Sequence, residues 1–333
     1  MKEEKRVTIR DIAEELGLST ATVSNVLHGK RARASDETVR RVQQALEQQQ
    51  YIPSMAGILL AQNASRIIGV VVNDHEKYEG RTLEDAFIAS SLNALSTEIE
   101  QAGLFMMVKK TTDREQIIRF ASMWNLEGLV LIGFCDADYV YLRSHMRIPF
   151  VVYDGGCANA PGICNITIDN FDGGYQVGAY FKARGHRRAV CIADNEICVD
   201  KERIDGFRAG FGPERTDFLL VPMQREARQA FYLENLGLLR TFTAVFVVSD
   251  VYAAELLRFL TGQGIAVPGD INLAGFDDTP LCTLLSPTLT TVRQDIPLRA
   301  KIAVEKLRLL KQGRETEVLV RLPVRLIARE STR

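Results

Sequence analysis

Residues 7–27 read VTIRDIAEELGLSTATVSNVL, and this stretch indicates two short helices joined by a tight turn. Thr8 followed by Asp11 is a capping-box variant that opens a helix. Gly17 is suited to end this helix in the left-handed backbone conformation, which glycine adopts at little energetic cost. Ser19 is placed to cap the second helix. Two short helices joined by a three-residue turn containing glycine are typical of a helix-turn-helix unit.

The outward face of the second helix carries small side chains, where a merely solvated helix would carry Glu and Lys. This face comprises Thr20, Ala21, Thr22, Ser24 and Asn25. A short uncharged face can approach base edges in the major groove of DNA, and Arg33 lies among nearby cations that suit phosphate contacts. An ordinary three-helix bundle with a polar face is the alternative at this point.

From residue 67 onward, short apolar β-rich runs alternate with amphipathic helical stretches. The runs are IIGVVV, LFMMV, GLVLIG, PFVVYD, NITID, AVCIA, DFLLV, AVFVVS and INLAGFDD. Strands that are apolar on both faces and separated by helices predict parallel sheets with helical crossovers. About ten strands exceed one ordinary sheet, so we expect an α/β body of two similar lobes behind the helical head.

Composition agrees with a folded, multidomain chain. The 333 residues are 46% hydrophobic and 25% charged, which excludes a disordered, collagen-like or coiled-coil protein. Residues 1–66 hold 10 Lys and Arg against 8 Asp and Glu, and the remaining residues hold 31 against 34. We therefore expect a slightly basic head on a slightly acidic body. The absence of an apolar run of about 18 residues or of a signal peptide predicts a soluble, cytoplasmic protein with no membrane partner.

The quoted head, continued through SNVLHGKRARASDETVRRVQQALEQQQYIP, resembles the lactose-repressor/galactose-repressor family of bacterial transcription regulators. The resemblance extends over essentially the whole chain. It implies a homodimer on a pseudo-palindromic operator in double-stranded DNA, and a periplasmic-binding-protein-like body whose ligand changes DNA affinity. The implied domains are a head at 1–50, a hinge at 51–66 and a body at 67–333. Lobe one is expected at about 67–165 plus 293–320, and lobe two at about 166–292 plus 321–333.

By position in the family, base contacts fall on Thr20, Ala21 and Asn25, and a leucine wedge in the minor groove falls on Leu60. The family usually has arginine where this chain has Asn25. Because asparagine matches the N6/N7 edge of adenine, we expect an altered operator half-site at that base pair, with adenine or a relaxed preference in place of guanine. The residues expected to contact DNA are Thr8, Ser19, Thr20, Ala21, Thr22, Ser24, Asn25, His28, Arg33 and Leu60.

Ligands of open α/β sheets lie outside the carboxyl ends of the strands. Phe134, Asp154, Ser249 and Asp277 each lie at the end of a predicted strand. The segments RIDGF (203–207) and GFDDT (275–279) resemble the family's paired effector-binding segments, which places Arg203 and Asp277 in the cleft. A guanidinium facing a carboxylate suits the vicinal hydroxyls of a sugar. The residues expected to bind the effector are Phe87, Phe134, Asp154, Arg203, Ser249, Asp277 and Gln294.

One segment departs from the family. NDHEKYEGRTLEDAF, residues 73–87, is longer and more charged than the brief connection usual there. A solvated insertion is the favoured interpretation, and a reshaped cleft mouth or dimer face is the alternative.

Catalytic and metal-binding motifs are missing from the sequence. The chain contains neither G-x-S-x-G, G-x-x-x-x-G-K-[ST] nor H-E-x-x-H, and its six cysteines form no C-x-x-C pair. We predict no enzyme activity, no metal and no cofactor. A cytoplasmic sugar-processing enzyme or sugar-binding module with a head that does not bind DNA is the rival class. A regulator that binds a purine or a partner protein is a further alternative, and the sign of the effector's action stays open.

Overall fold

The computed structural model describes residues 7–27, 29, 34–52, 65–156 and 163–333. The chain divides into two compact units, residues 1–65 and 66–333, and each is described by itself. Among the described residues, no helix has the length and apolar character needed to cross a membrane.

The described part of the head contains the helices α1 (Ile9–Leu16), α2 (Thr20–Leu27) and α3 (Asp36–Gln48). The predicted capping box is confirmed, since the Thr8 hydroxyl accepts from the Asp11 N–H at 3.3 Å and the Asp11 carboxylate accepts from the Thr8 N–H at 2.8 Å. Gly17 ends α1 at φ 65°, and the Ser19 hydroxyl accepts from the Thr22 N–H at 3.1 Å. Local capping therefore fixes both ends of the turn.

One small core holds these three helices together. Ile12 of α1, Val23 of α2 and Val42 of α3 have no exposed surface. Since each helix contributes a fully buried side chain, the relative orientation of α1 and α2 depends on all three.

The first sheet of the body is a parallel six-stranded sheet in the order β11-β5-β4-β3-β1-β2. Its strands are β1 (Ile67–Val72), β2 (Phe105–Lys110), β3 (Gly128–Ile132), β4 (Phe150–Tyr153), β5 (Cys164–Ile168) and β11 (Leu319–Leu322). Helices α4 (Ala86–Gln101) and α13 (Ile296–Lys311) cover one face, and α5 (Arg114–Met123) and α6 (Asp136–His145) cover the other. Burial on both faces explains the unbroken apolar strands.

The second sheet has four parallel strands in the order β7-β6-β8-β9. These are β6 (Ala189–Ala193), β7 (Thr216–Leu220), β8 (Ala244–Val247) and β9 (Asn272–Ala274). Its helices are α7 (Asn170–Ala183), α8 (Cys198–Phe211), α9 (Arg225–Glu234), α10 (Leu236–Leu239), α11 (Asp250–Gly262) and α12 (Leu281–Leu284). Helices α7 and α8 pack on one face, and α9 to α11 pack on the other. The predicted two-lobed α/β fold is confirmed.

The chain passes between the lobes at several points. It leaves the first sheet at the end of β5 and enters α7 in the second lobe. Strand β10 (Thr291–Gln294) pairs antiparallel with β12 (Val324–Ile327) and leads directly into α13 of the first lobe. Because β5 belongs to the first sheet, the division expected near residue 165 falls inside a strand.

Helices α7 and α8 touch through their backbones. A Cβ atom at Gly206 would lie 1.9 Å from the Phe171 carbonyl oxygen, and one at Gly174 would lie 2.0 Å from the Arg203 carbonyl oxygen. Only glycine allows this approach. The contact fixes the position of Arg203 along the face of the second lobe.

We expect Gly206→Ala to lower the free energy of unfolding by about 1–3 kcal/mol, because the added methyl group would force the two backbones apart. The matched control is Gly262→Ala at the exposed end of α11, where an added Cβ meets nothing within 4 Å. That change should be neutral or stabilise by about 0.5–1 kcal/mol. Urea unfolding measures both, and equal midpoints for the two variants would contradict the packing argument.

Asp250, the first residue of α11, is completely buried and ties three segments together. Its carboxylate accepts from the Thr279 N–H at 2.8 Å, the Thr279 hydroxyl at 3.2 Å and the Thr291 hydroxyl at 2.6 Å. Burial raises the pKa of Asp250 to about 6, although these hydrogen bonds act in the opposite direction.

This pKa gives stability a defined pH dependence. The native state binds a proton at Asp250 more tightly than the unfolded chain, whose carboxyl titrates near 3.8. The resulting stabilisation is complete below about pH 4 and is lost as the pH rises through about 6, by an amount of order 2–3 kcal/mol. Asp250→Asn should flatten this part of the curve in urea unfolding between pH 4 and 7.5. A variant with the wild-type slope would contradict the assignment. Buried Asp277, whose pKa is also raised, supplies a residual slope of the same sign.

Candidate functional site

The structure places the predicted DNA-reading side chains along α2. Ser19, Thr20 and Ala21 are exposed, while Ser24 and Asn25 are half-buried. Val23 and Val26 point into the core from the opposite side of the same helix. The outward surface is therefore small and uncharged, as a close approach to base edges requires.

Two of the hydroxyl groups predicted to contact DNA, those of Thr8 and Ser19, also cap helices. The Ser19 and Thr22 hydroxyls lie 2.9 Å apart, and the Thr8 hydroxyl donates to the Asp11 carboxylate at 2.7 Å. They are thus held in place by local structure. His28, Arg33 and Leu60 lie outside the described residues, as does most of the predicted hinge.

The body contains a cavity of about 380 Å³ at the carboxyl ends of strands from both sheets. Asp154 follows β4, Asp194 follows β6, Ser249 lies just beyond β8, and Asp277 lies beyond β9. Its lining also includes Lys77, Tyr78, Glu79, Arg81, Glu84, Asp85, Phe87, Val199, Asp200, Arg203, Arg225, Arg228, Val248, Val251, Tyr252 and Glu255. A cavity of this size in this position is typical of a small-molecule site.

The structure brings five of the seven predicted effector-binding residues onto this lining. They are Phe87, Asp154, Arg203, Ser249 and Asp277. It does not bring Phe134 there, because that side chain is buried in the first lobe, edge-on to Tyr139 at 6.5 Å. The Phe134 N–H donates to the Tyr139 hydroxyl, and that hydroxyl donates to the Phe134 carbonyl. Phe134 is therefore part of the core.

Arg203 is held rigidly at the wall of the cavity. Its Nε donates to the Asn170 side-chain oxygen at 2.9 Å, and its Nη1 donates to the Val248 carbonyl at 2.8 Å. Nη1 lies 3.7 Å from the Asp277 carboxylate, and the guanidinium carbon lies 3.8 Å from the centre of the Phe276 ring. Burial raises the pKa of Asp277 well above its usual range, although Arg203 opposes the shift. The pair presents a fixed donor beside a fixed acceptor.

Gln294 lies behind this pair and not on the lining. Its Nε2 donates to Asp277 at 2.8 Å, and its Oε1 accepts from the buried guanidinium of Arg299 at 3.0 Å. Arg299 in turn donates to Asp154 at 3.3 Å. Gln294 therefore positions Asp277 and connects it to the opposite wall of the cavity.

The second lobe supplies a polar cluster that the sequence did not predict as a site. The Tyr252 hydroxyl donates to Asp194 at 2.8 Å, and Asn195 Nδ2 donates to both Asp194 and Asp200 at 2.7 Å. Arg228 binds Glu255 through Nε at 2.8 Å and Nη2 at 2.7 Å. Only Asp194 had a signal in the sequence, since it directly follows the strand run AVCIA.

The charged segment at 73–87 also contributes to the cavity. Lys77, Tyr78, Glu79 and Asp85 line it, although the sequence favours a solvated insertion there. Burial opposes the charge on Lys77, yet attraction by acidic groups outweighs this effect and raises the pKa of its ammonium group. Those groups are Tyr78, Asp200, Asp194 and Asp85.

The arrangement is suited to binding a polar molecule. Carboxylates and guanidinium groups offer acceptors and donors in fixed directions, and Tyr78, Phe87 and Tyr252 add aromatic surface. The described lining contains no histidine or cysteine next to its one serine, Ser249. Ser249 instead caps α11 by accepting from the Tyr252 N–H. The chemistry of the lining thus favours recognition over nucleophilic catalysis.

Comparison with known families assigns both units. Residues 8–54 match the family model of bacterial regulatory proteins, lacI family, and residues 179–332 match the periplasmic binding protein-like domain. The solved structure of the Lac repressor dimer bound to operator and the anti-inducer ONPF superimposes with a TM-score of 0.85 at 24% identity, covering 98% of this chain and 99% of that one. A CelR–cellobiose complex gives a TM-score of 0.70 at 23% identity, covering 98% of this chain and 100% of that one. These likenesses show the fold.

Relatives of similar length carry the family assignment. The HTH-type transcriptional repressor PurR of Mannheimia succiniciproducens is 27% identical over 315 residues, covering 91% of this chain and 90% of PurR. The HTH-type transcriptional regulator GalR of Escherichia coli is 31% identical over 315 residues, covering 90% of this chain and 87% of GalR. With a matching head, a matching body and this degree of identity along nine-tenths of its length, the chain belongs to the lacI family of bacterial regulatory proteins.

Proposed function

We propose that the chain is a cytoplasmic repressor that binds a pseudo-palindromic operator as a homodimer, and that a sugar or sugar derivative in the body cavity controls its operator affinity. Membership of the lacI family makes it a DNA-binding transcription regulator and not an enzyme. The rival interpretation as a sugar-processing enzyme with a head that does not bind DNA is therefore wrong.

The observation that carries the proposal is the conjunction of two sites in one chain. The head presents a capped helix with a small uncharged outward face, and the body encloses a polar cavity at the strand ends of two sheets. The first suits base recognition, and the second suits a small hydroxylated molecule.

A sugar is favoured by the side chains of the cavity and by similar proteins. Arg203 beside Asp277 supplies a donor and an acceptor to neighbouring hydroxyl groups. Solved structures with this fold include complexes with cellobiose, D-xylulofuranose and ribose. We infer that Phe87, Asp154, Arg203, Ser249 and Asp277 contact the effector, with Gln294 acting through Asp277.

Regulation follows from linkage. A ligand changes operator affinity only through the difference between its affinities for the two arrangements of the protein, commonly about 1–3 kcal/mol. Because the cavity is lined by both lobes, bound ligand favours whichever arrangement gives it contacts to both. The same coupling applies to a ligand that weakens operator binding and to one that strengthens it.

Operator selection tests the DNA site. Full-length protein, given a random duplex pool, should select a two-fold symmetric site with adenine opposite Asn25, and binding should weaken steeply with salt. Asn25→Arg should move the preference at that base pair to guanine, with about 1–3 kcal/mol of discrimination. Gln44→Arg, which adds the same charge on the exposed side of α3, should leave the preference unchanged. Selection of an invariant guanine by the wild-type protein would refute the role of Asn25.

Ligand titration tests the cavity. A thermal-shift screen of sugars, sugar phosphates and nucleobases should find a compound that also alters operator binding. Arg203→Lys keeps the positive charge but loses the planar guanidinium group with its fixed N–H donors. It should weaken that compound's binding about ten- to a hundredfold. Arg208→Lys on the same helix, whose side chain lies over Phe218, is the control. Unchanged affinity in a folded Arg203→Lys protein would place the effector elsewhere.

A further inference from the structure

The segment from Asn73 to Asp85 is anchored to the first lobe at its base. The buried Thr82 hydroxyl donates to the Asp74 carboxylate, and Lys110 of β2 donates to Asp74 at 3.3 Å and to the Gly80 carbonyl at 3.0 Å. Two short 3-10 turns, Glu76–Tyr78 and Thr82–Glu84, give the segment a defined shape. It is therefore a folded element and not a loose insertion.

The tip of this segment contacts the second lobe. The Glu79 carboxylate accepts from the Arg225 N–H at 3.1 Å, at the first residue of α9. The residue preceding α9, Gln224, makes no side-chain capping bond. The first N–H groups of a helix have no partner within the helix and favour an anion. Glu79 thus caps a helix that belongs to the opposite lobe.

Complementary charge across the cavity accompanies this contact. The half-buried Lys77 lines the same cavity as Asp194 and Asp200 of the second lobe, and its ammonium group lies over the Tyr78 ring at 5.2 Å. These two carboxylates are joined through Asn195, so they form one connected acidic surface on the second lobe. Glu79 therefore contacts the second lobe directly, and Lys77 carries the charge opposite to that of the acidic lining of this lobe.

We propose that residues 73–85 form a strap across the mouth of the effector cavity, in which Glu79 capping α9 resists separation of the two lobes and the positive charge of Lys77 complements the acidic lining at Asp194 and Asp200. The strap acts on the cavity assigned under the proposed function, although its contacts exist whatever ligand the cavity takes. Glu79 is exposed, and exposed charged contacts are individually weak. The strap is consequently able to release and re-form as a ligand enters or leaves.

The donor can be removed without disrupting α9. Arg225→Pro deletes the N–H that Glu79 accepts, and proline is favoured at the first position of a helix. Gln224 already has the extended conformation that a following proline requires, with φ −73° and ψ 136°. Arg225→Ala removes the same side chain, which lies 3.5 Å from Glu255, but retains the N–H. The two variants differ mainly in the capping donor.

Hydrogen–deuterium exchange of the full-length protein, without DNA or small molecule, tests the strap. Glu79→Ala and Arg225→Pro should each raise exchange about two- to fivefold in residues 74–85 and also in residues 194–200 across the cavity. Arg225→Ala should match wild type, as should Glu76→Ala, which removes a neighbouring carboxylate that does not line the cavity. The double variant Glu79→Ala/Arg225→Pro should exceed neither single variant, because both remove one contact.

Wild-type exchange at residues 194–200 in Glu79→Ala would overturn the strap, even if residues 74–85 became faster, since the contact would then be local. Equal effects of Arg225→Ala and Arg225→Pro would overturn the capping contact. Neither result depends on repression. A chain without an operator or a sugar effector would fail the tests of the proposed function and would still show these exchange differences if the strap exists.

Discussion

The arrangement of the body depends on the hydrogen bonds that the guanidinium of Arg299 donates. It has no exposed surface, and it donates to the Ile166 carbonyl of β5 at 2.9 Å and to Asp154 at 3.3 Å, both in the first lobe. Through Gln294 it reaches Asp277, which follows β9 in the second lobe. A buried cation without such partners would be strongly destabilising. The strand ends on the two sides of the cavity are thereby held by one continuous network.

Backbone packing sets the other wall of the cavity. Gly174 and Gly206 let the backbones of α7 and α8 come into direct contact without intervening side chains. This close packing fixes the position of α8 and therefore the point from which Arg203 enters the cavity. Its guanidinium is then fixed by the Asn170 side chain and the Val248 carbonyl. Residues that bind a ligand with defined geometry need this kind of support, in which packing and hydrogen bonds determine each rotamer.

Prediction from sequence succeeded where a local rule determines the structure. The Thr8 capping box, the Gly17 stop and the apolar strands followed from short-range preferences, and the position after a strand correctly placed Asp154, Ser249 and Asp277 at the sheet edge. The same rule placed Phe134 at that edge, but after Gly133, at φ 78°, its side chain turns into the core. Neither α13 nor the strands β11 and β12 were delimited, although Asp295 and Pro297 at the start of α13 and Gly313 after its end are local signals. The segment at 73–85 was singled out, but a solvated insertion was favoured over a reshaped cleft mouth, because its charges are those of a solvated surface and the partner of Glu79 lies more than a hundred positions along the chain. Only the fold brings these groups together.

Two side-chain connections between the lobes, one through Arg299 and one through Glu79, differ in solvent exposure, and this difference affects how the lobes can move. The network through Arg299 is buried, so breaking it would leave an unpaired charge in a medium of low polarity. The contact between Glu79 and the Arg225 N–H is exposed, so water can replace it at small cost. Relative motion of the lobes is therefore easier at the mouth of the cavity than at its base. A ligand that contacts both walls acts where the protein's own restraint is weakest, which makes a modest binding preference sufficient to shift the equilibrium between arrangements.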